Sequence, residues 1–123
     1  MNKILLVEDD PAFADMVRKA LVMFSYEVVL ARDGKEALRL FDSATMLVVI
    51  TDLLMPDMDG MQLIVKLQQR DPSVRIIAMS GGGLGKPETY LPMAERLGAV
   101  KTLAKPFAIT ELIAAIEECL DES

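Results

Sequence analysis

Met46-Leu47-Val48-Val49-Ile50-Thr51-Asp52-Leu53-Leu54-Met55-Pro56-Asp57-Met58-Asp59-Gly60 is the stretch whose reading decides the fold of this chain. Its apolar run, rich in β-branched residues, suits a strand buried on both faces of a parallel sheet. The run closes on a carboxylate, Asp52, and the Pro, Asp and Gly residues behind it suit a tight loop. Open α/β sheets gather their chemistry outside the carboxyl ends of the strands, so Asp52 stands where a ligand is met. Two other apolar runs end alike. Ile4-Leu5-Leu6-Val7 leads into Glu8-Asp9-Asp10, and the last run, from Val100 to Ala104, is followed by Lys105. Acid, acid and lysine at three strand ends are the start of a site for a cation and a phosphate.

Working outward, apolar runs predict strands at 3–7, 27–31, 47–51, 75–79 and 100–103. Amphipathic stretches lie between them. Phe13, Met16, Val17, Ala20, Leu21 and Phe24 recur on one face of a helix, with Asp10 as its N-cap and Pro11 in its first turn. Ala37, Leu38 and Phe41 mark a second helix after the Asp33-Gly34 turn, and Leu63, Ile64 and Leu67 a third that ends before Pro72. Tyr90 or Leu91, Ala94 and Leu97 mark a fourth, with Gly98 as C-cap. Ile109, Leu112, Ile113, Ile116 and Leu120 mark a fifth that starts near Ala108 or Thr110. Five βα units in succession predict an α/β fold, a single doubly wound (βα)5 domain over residues 1–123 with helices on both faces of a parallel sheet. Right-handed crossovers give strand order 2-1-3-4-5, with the switch point between strands 1 and 3. Those strands end in Glu8-Asp9 and in Asp52, so the topology itself brings the acids together.

The composition narrows the chemistry. The chain has 123 residues, 52% of them hydrophobic, enough for one core. No apolar stretch reaches the roughly 18 residues of a membrane span. The amino terminus lacks the pattern of a signal peptide, so the expected location is the cytoplasm, away from membranes. Cys119 is the sole cysteine, on a helix near the carboxyl end, and is expected to be inert. A net charge of −6 speaks against direct binding of nucleic acid. Histidine is absent, which removes zinc sites, histidine acid–base chemistry and Ser-His-Asp triads. Carboxylates, lysine, hydroxyls and a hard metal ion remain.

Four elements then carry a family likeness: Val7-Glu8-Asp9-Asp10-Pro11; Asp52-x-x-Met55-Pro56-x-Met58-Asp59-Gly60; Ser80 after the fourth strand; and Lys105-Pro106-Phe107. Each is short, yet all four come in order at strand ends. Over essentially its whole length the chain resembles the receiver domain of the bacterial two-component response regulators. The resemblance implies a flavodoxin-like three-layer sandwich and a signalling domain rather than an enzyme, one that promotes its own phosphorylation and slow dephosphorylation. It implies that Asp52 accepts a phosphoryl group from a histidine kinase, a histidine phosphotransfer protein or a small phosphodonor. It implies a Mg²⁺ ion held by Asp9 directly, by Glu8 through a water, by Asp52 and by the carbonyl of Leu54. Ser80 would hydrogen-bond the phosphoryl group and Lys105 would pair with it, and the Lys105-Pro106 bond is a cis candidate. Asp10 falls one place beyond the acidic pair and is read as the helix cap. The implied partners are the phosphodonor and a downstream protein of unknown identity, with a monomer or a phosphorylation-dependent dimer both compatible. The chain is expected to act as a stand-alone regulator, the alternative being a receiver module excised from a longer regulator or hybrid kinase.

The residue types suit that chemistry. Phosphoryl transfer asks for positioning and neutralisation of charge, and an aspartate acceptor needs no base. Like charges about 4 Å apart repel by about 4 kcal/mol at an effective dielectric near 20, so an anionic donor needs the cation and Lys105. Gly81-Gly82-Gly83-Leu84-Gly85 lacks the spacing of a P-loop and is expected to form a mobile loop, with Gly81 leaving the exit of strand 4 loose. Thr102 stands where receivers commonly carry an aromatic switch residue, so signalling through that position is expected to differ; Tyr90 is a candidate substitute. An aspartate-nucleophile phosphohydrolase is the distant alternative, but its nucleophile belongs on the first strand with a second acid two residues on, whereas Leu53-Leu54 follow Asp52. A flavin module of similar topology is disfavoured because Glu8-Asp9-Asp10 would repel a flavin phosphate.

Overall fold

The structure, a computed structural model, describes residues 3–53, 60–81 and 87–121, with backbone alone over 87–90. Its elements are β1 (Lys3–Val7), α1 (Pro11–Met23), β2 (Glu27–Ala31), α2 (Gly34–Leu40), β3 (Met46–Asp52), α3 (Gly60–Arg70), β4 (Arg75–Ser80), α4 (Pro87–Leu97), β5 (Lys101–Ala104) and α5 (Ile109–Asp121). All five strands are parallel, in the predicted order β2-β1-β3-β4-β5. Two strand ends differ from the sequence reading in a way that matters. β3 runs through Asp52 and β4 through Ser80, so both side chains are held by the ladder rather than by a loop.

The alternation of strand side chains builds two cores. Leu5, Val7, Val49, Ile76 and Ala78 pack with Ala37 of α2, Leu63, Ile64 and Leu67 of α3 and Ala94 of α4. Ile4, Leu6, Val48, Ile50, Ile77 and Met79 pack with Val17 and Leu21 of α1 and Leu112, Ile113, Ile116 and Cys119 of α5. Each fully buried aliphatic side chain contributes roughly 1.5–3 kcal/mol, so both faces of the sheet carry the fold. Cys119 is wholly buried in the second core.

Helix ends follow their signals. The Asp10 carboxylate accepts the N–H groups of Ala12 (3.0 Å) and Phe13 (3.4 Å), capping α1 ahead of Pro11. Asp33 caps α2 through the N–H of Glu36 at 2.8 Å. At the end of α4, Gly98 has φ +127°, and Ala99 N–H reaches back to the Ala94 carbonyl at 2.9 Å while Gly98 N–H reaches Glu95 at 3.1 Å. That is a Schellman closure, and it turns the chain straight into β5.

Candidate functional site

The register places the predicted residues on one edge. Val7 pairs with Thr51 and Thr51 with Ala78, so Glu8, Asp52 and Met79 follow side by side. Ser80 pairs with Ala104, and Lys105 comes next. Side-chain parity then sorts them. Glu8 and Asp52 share the parity of Leu6 and Ile50, toward α1 and α5, whereas Ser80 shares that of Ala78, toward α3 and α4. The site therefore straddles the sheet edge, with its Glu8 and Asp52 carboxylates on one side and its hydroxyl on the other.

Lys105 is the centre of the polar contacts. Its ammonium donates to Glu8 Oε1 at 2.7 Å and to Asp52 Oδ2 at 3.2 Å, and its side chain is only 17% exposed. The second Glu8 oxygen accepts the Asp10 N–H at 3.1 Å, which locks that carboxylate. Burial pushes the Glu8 carboxyl up to about 7; the hydrogen bonds from Lys105 and Asp10 oppose the push, and the Asp52 charge adds to it. Burial works to lower the Lys105 ammonium, but Glu8 and Asp52 outweigh it and hold the group above its usual range. The Lys105–Pro106 peptide is cis.

One carboxylate oxygen each from Glu8, Asp9 and Asp52 lies within 4.8 Å of the others, with Asp9 exposed and its two partners buried. Oxygen donors at that spacing fit a hard divalent cation. Leu54, whose carbonyl was expected to complete the set, lies outside the described residues, as do the loop through Asp59 and the glycines after Gly81.

Ser80 is fully buried, and its hydroxyl has no hydrogen-bond partner among the described residues. A buried polar atom without a partner among the described residues, one register step past Asp52, fits a ligand oxygen. The adjacent buried hydroxyl behaves differently. Thr51 Oγ1 donates to the Asp52 carbonyl at 2.9 Å, and a Cβ on Gly60 would stand 2.4 Å from that same oxygen. The backbone of Asp52 is thus pinned from two sides.

Three residues of the site escaped the sequence reading in whole or part. Phe13, assigned only to the core face of α1, also lies with its ring 4.3 Å from the Lys105 ammonium. Nothing in helical spacing distinguishes that role; its first-turn position beside the acidic pair is the sole hint. Thr51 was read as the last residue of an apolar run. Gly81 was expected to loosen the exit of β4, and here the structure corrects the sequence reading. Gly81 has φ +147°, and a Cβ there would meet the Lys105 carbonyl at 2.7 Å and its Cβ at 3.0 Å. It is a close approach of two backbones, reinforced by Lys105 N–H donating to the Ser80 carbonyl at 2.8 Å. Thr102, in place of an aromatic, donates to Glu95 of α4 at 3.4 Å; the Tyr90 side chain lies outside the described residues.

A family profile described as the response regulator receiver domain matches residues 4–117. The chain is 34% identical to the transcriptional regulatory protein GlrR of Escherichia coli over 98% of its own length and 26% of that protein. It is 34% identical to the transcriptional regulatory protein CpxR of the same species, over 100% of its own length and 51% of that one. It thus spans between a quarter and about half of these curated relatives. Among solved structures, a receiver domain protein of Clostridium thermocellum superposes with a TM-score of 0.92 at 27% identity, covering 99% of this chain and 96% of that one. A CheY-like receiver from Methanospirillum hungatei gives 0.88 at 29%, over 99% and 95%. With fold, acidic cluster, hydroxyl and lysine in place, this chain belongs to the response regulator receiver domain family.

Proposed function

We propose that the domain is a phosphoryl-operated switch whose acceptor is Asp52, charged by a histidine kinase or a histidine phosphotransfer protein in the cytoplasm. An Asp52 oxygen attacks the phosphorus, the bond from phosphorus to the donor's imidazole nitrogen or acetate oxygen breaks, and the electron pair leaves with the donor. Lys105 pairs with the phosphoryl oxygens, and Ser80, whose hydroxyl has no partner among the described residues, donates a hydrogen bond to them. Glu8, Asp9 and Asp52 are the residues that would hold Mg²⁺. When bound, that ion neutralises the acids so that an anionic donor can approach. Thr51 and Gly60 keep the acceptor's backbone still while its side chain reacts. The chain promotes its own phosphorylation and slow hydrolysis but turns over no separate substrate. The observation that carries this reading is the Lys105 ammonium 3.2 Å from Asp52 within a three-carboxylate cluster.

The test is incubation with Mg²⁺ and acetyl phosphate, followed by intact mass. One phosphoryl group is expected on the wild type and none on Asp52→Asn; labelling that persists in the variant would remove Asp52 from its role. The phosphorylated domain then switches a protein partner as a stand-alone regulator, as a monomer or as a phosphorylation-dependent dimer. A second reading, a receiver module of a longer transcriptional regulator, is favoured by the greater length of GlrR and CpxR. The reading frame of the native gene separates the two.

A further inference from the structure

We infer that Phe13 is a positioning residue for phosphoryl transfer: its aromatic face holds the Lys105 ammonium over Asp52. The inference rests on the function proposed above and adds a component to its site.

Three groups surround the ammonium among the described residues: Glu8 at 2.7 Å, Asp52 at 3.2 Å, and the Phe13 ring at 4.3 Å from its centroid. The ring differs in kind from the other two. A carboxylate binds an ammonium proton at a fixed oxygen and competes with any incoming phosphoryl oxygen for it. A ring face attracts the cation through its quadrupole, tolerates rotation of the ammonium and offers no oxygen. Its attraction also survives when either carboxylate turns to another partner. Lys105 then stays over the acceptor with its protons free to follow the phosphoryl group. Burial strengthens the effect, because the lysine side chain is only 17% exposed and water screens it little.

The ring is itself held on both ends. Phe107, two residues past Lys105, meets it edge to face, with centroids 6.0 Å apart and planes at 87°. The Asp10 carboxylate accepts the Phe13 N–H at 3.4 Å, so the cap that starts α1 also sets the height of the ring above the sheet edge. Glu8, through its contact with the Asp10 N–H, ties the same turn to the acidic pair. A purely structural Phe13 would need volume alone. A positioning Phe13 needs its π-face.

The experiment compares wild type, Phe13→Leu, Phe13→Tyr and a chain with 3,4,5-trifluorophenylalanine at position 13. Leucine keeps apolar bulk without a π-face, tyrosine keeps the face, and the fluorinated ring keeps the shape while withdrawing its negative potential. The readouts are the rate of labelling by acetyl phosphate in Mg²⁺, the thermal midpoint, and the NMR shifts of the Lys105 side-chain CH₂ protons, which a ring above them moves upfield. Labelling is expected to slow about three- to ten-fold in Phe13→Leu and in the fluorinated chain, between the sizes of an exposed and a fully desolvated cation–π contact. Phe13→Tyr is expected to stay within about twofold of wild type. The fluorinated chain is expected to keep the wild-type midpoint, and Phe13→Leu to lose the upfield shift at Lys105. Wild-type labelling rates in Phe13→Leu or in the fluorinated chain would overturn the inference, as would equal slowing in Phe13→Tyr. Failure of the wild type itself to label on Asp52 would instead overturn the underlying function.

Discussion

Two buried hydroxyls, Thr51 and Ser80, stand on the same side of the sheet, two positions apart in the β3–β4 register, and they should respond to removal with opposite signs. Ser80 is 0% exposed and has no partner among the described residues, so its hydroxyl has lost water and gained no hydrogen bond from them. An unpaired buried hydroxyl costs about 1–3 kcal/mol. Ser80→Ala keeps the Cβ and the strand, removes one polar atom and leaves a void of one oxygen. It is expected to stabilise the metal-free domain by about 1–2 kcal/mol, and in a chain of this size to raise the thermal midpoint by about 3–10 °C. Thr51 is equally buried, but its hydroxyl donates to the Asp52 carbonyl at 2.9 Å. Thr51→Val keeps the shape and is expected to cost about 1 kcal/mol. The assay is urea denaturation in excess chelator, where both variants should shift the midpoint and keep the wild-type slope. The gain at Ser80 comes at a functional loss. A hydrogen bond to a charged oxygen contributes about 1.5–3 kcal/mol, so binding of a beryllofluoride phosphoryl mimic should weaken at least about tenfold in Ser80→Ala. A less stable Ser80→Ala in chelator would refute the reasoning, since it would mean that the hydroxyl is satisfied at rest.

Gly81→Ala is expected to cost about 2–4 kcal/mol, because a side chain at φ +147° is strained and its Cβ would press on the Lys105 carbonyl at 2.7 Å; equilibrium unfolding measures the loss, and slower labelling should accompany it. Asp9→Ala and Asp10→Ala should separate cleanly in a Mg²⁺ titration followed by a melt. The first should weaken the metal more than about tenfold with little change in stability, and the second should cost about 1 kcal/mol as a lost cap with metal affinity within about twofold. Glu8 sets a pH dependence with a definite sign. Its carboxyl titrates near 7 in the folded domain against 4.5 when unfolded, so between those values the folded state binds more protons. Without metal, the stability that protonated Glu8 contributes is present below about pH 4.5 and is lost as pH rises through 7, by up to about 3 kcal/mol. The stability of wild type relative to Glu8→Gln, measured by urea denaturation across that window, should fall; a rise would reverse the assignment.

The site was legible in the sequence to an unequal degree. Glu8, Asp9, Asp52 and Lys105 could be read because each ends an apolar run, and a parallel α/β sheet must present those ends together. Asp10 could be read as a cap because a cap is a local hydrogen bond to the next two N–H groups. Gly81 was misread because φ freedom in a glycine run looks the same whether it serves motion or close approach. Only the Lys105 backbone beside it shows which. Ser80 was recognised by its place, but its lack of a partner depends on what packs around it.

The sequence by itself determined the order of the elements, their periodicity and the acidic and basic ends of the strands, because those follow from contacts within a few residues. Tertiary structure decided the rest. The strand ladder set Glu8 and Asp52 on one side of the sheet and Ser80 on the other, since pairing register, rather than local pattern, fixes side-chain parity. The seating of α1 and the turn after β5 brought the Phe13 ring over Lys105, residues far apart in the chain that meet only because both faces of the sheet must be covered. An electrostatic partner of that kind leaves no motif, because its energy lies in distance and orientation across the fold.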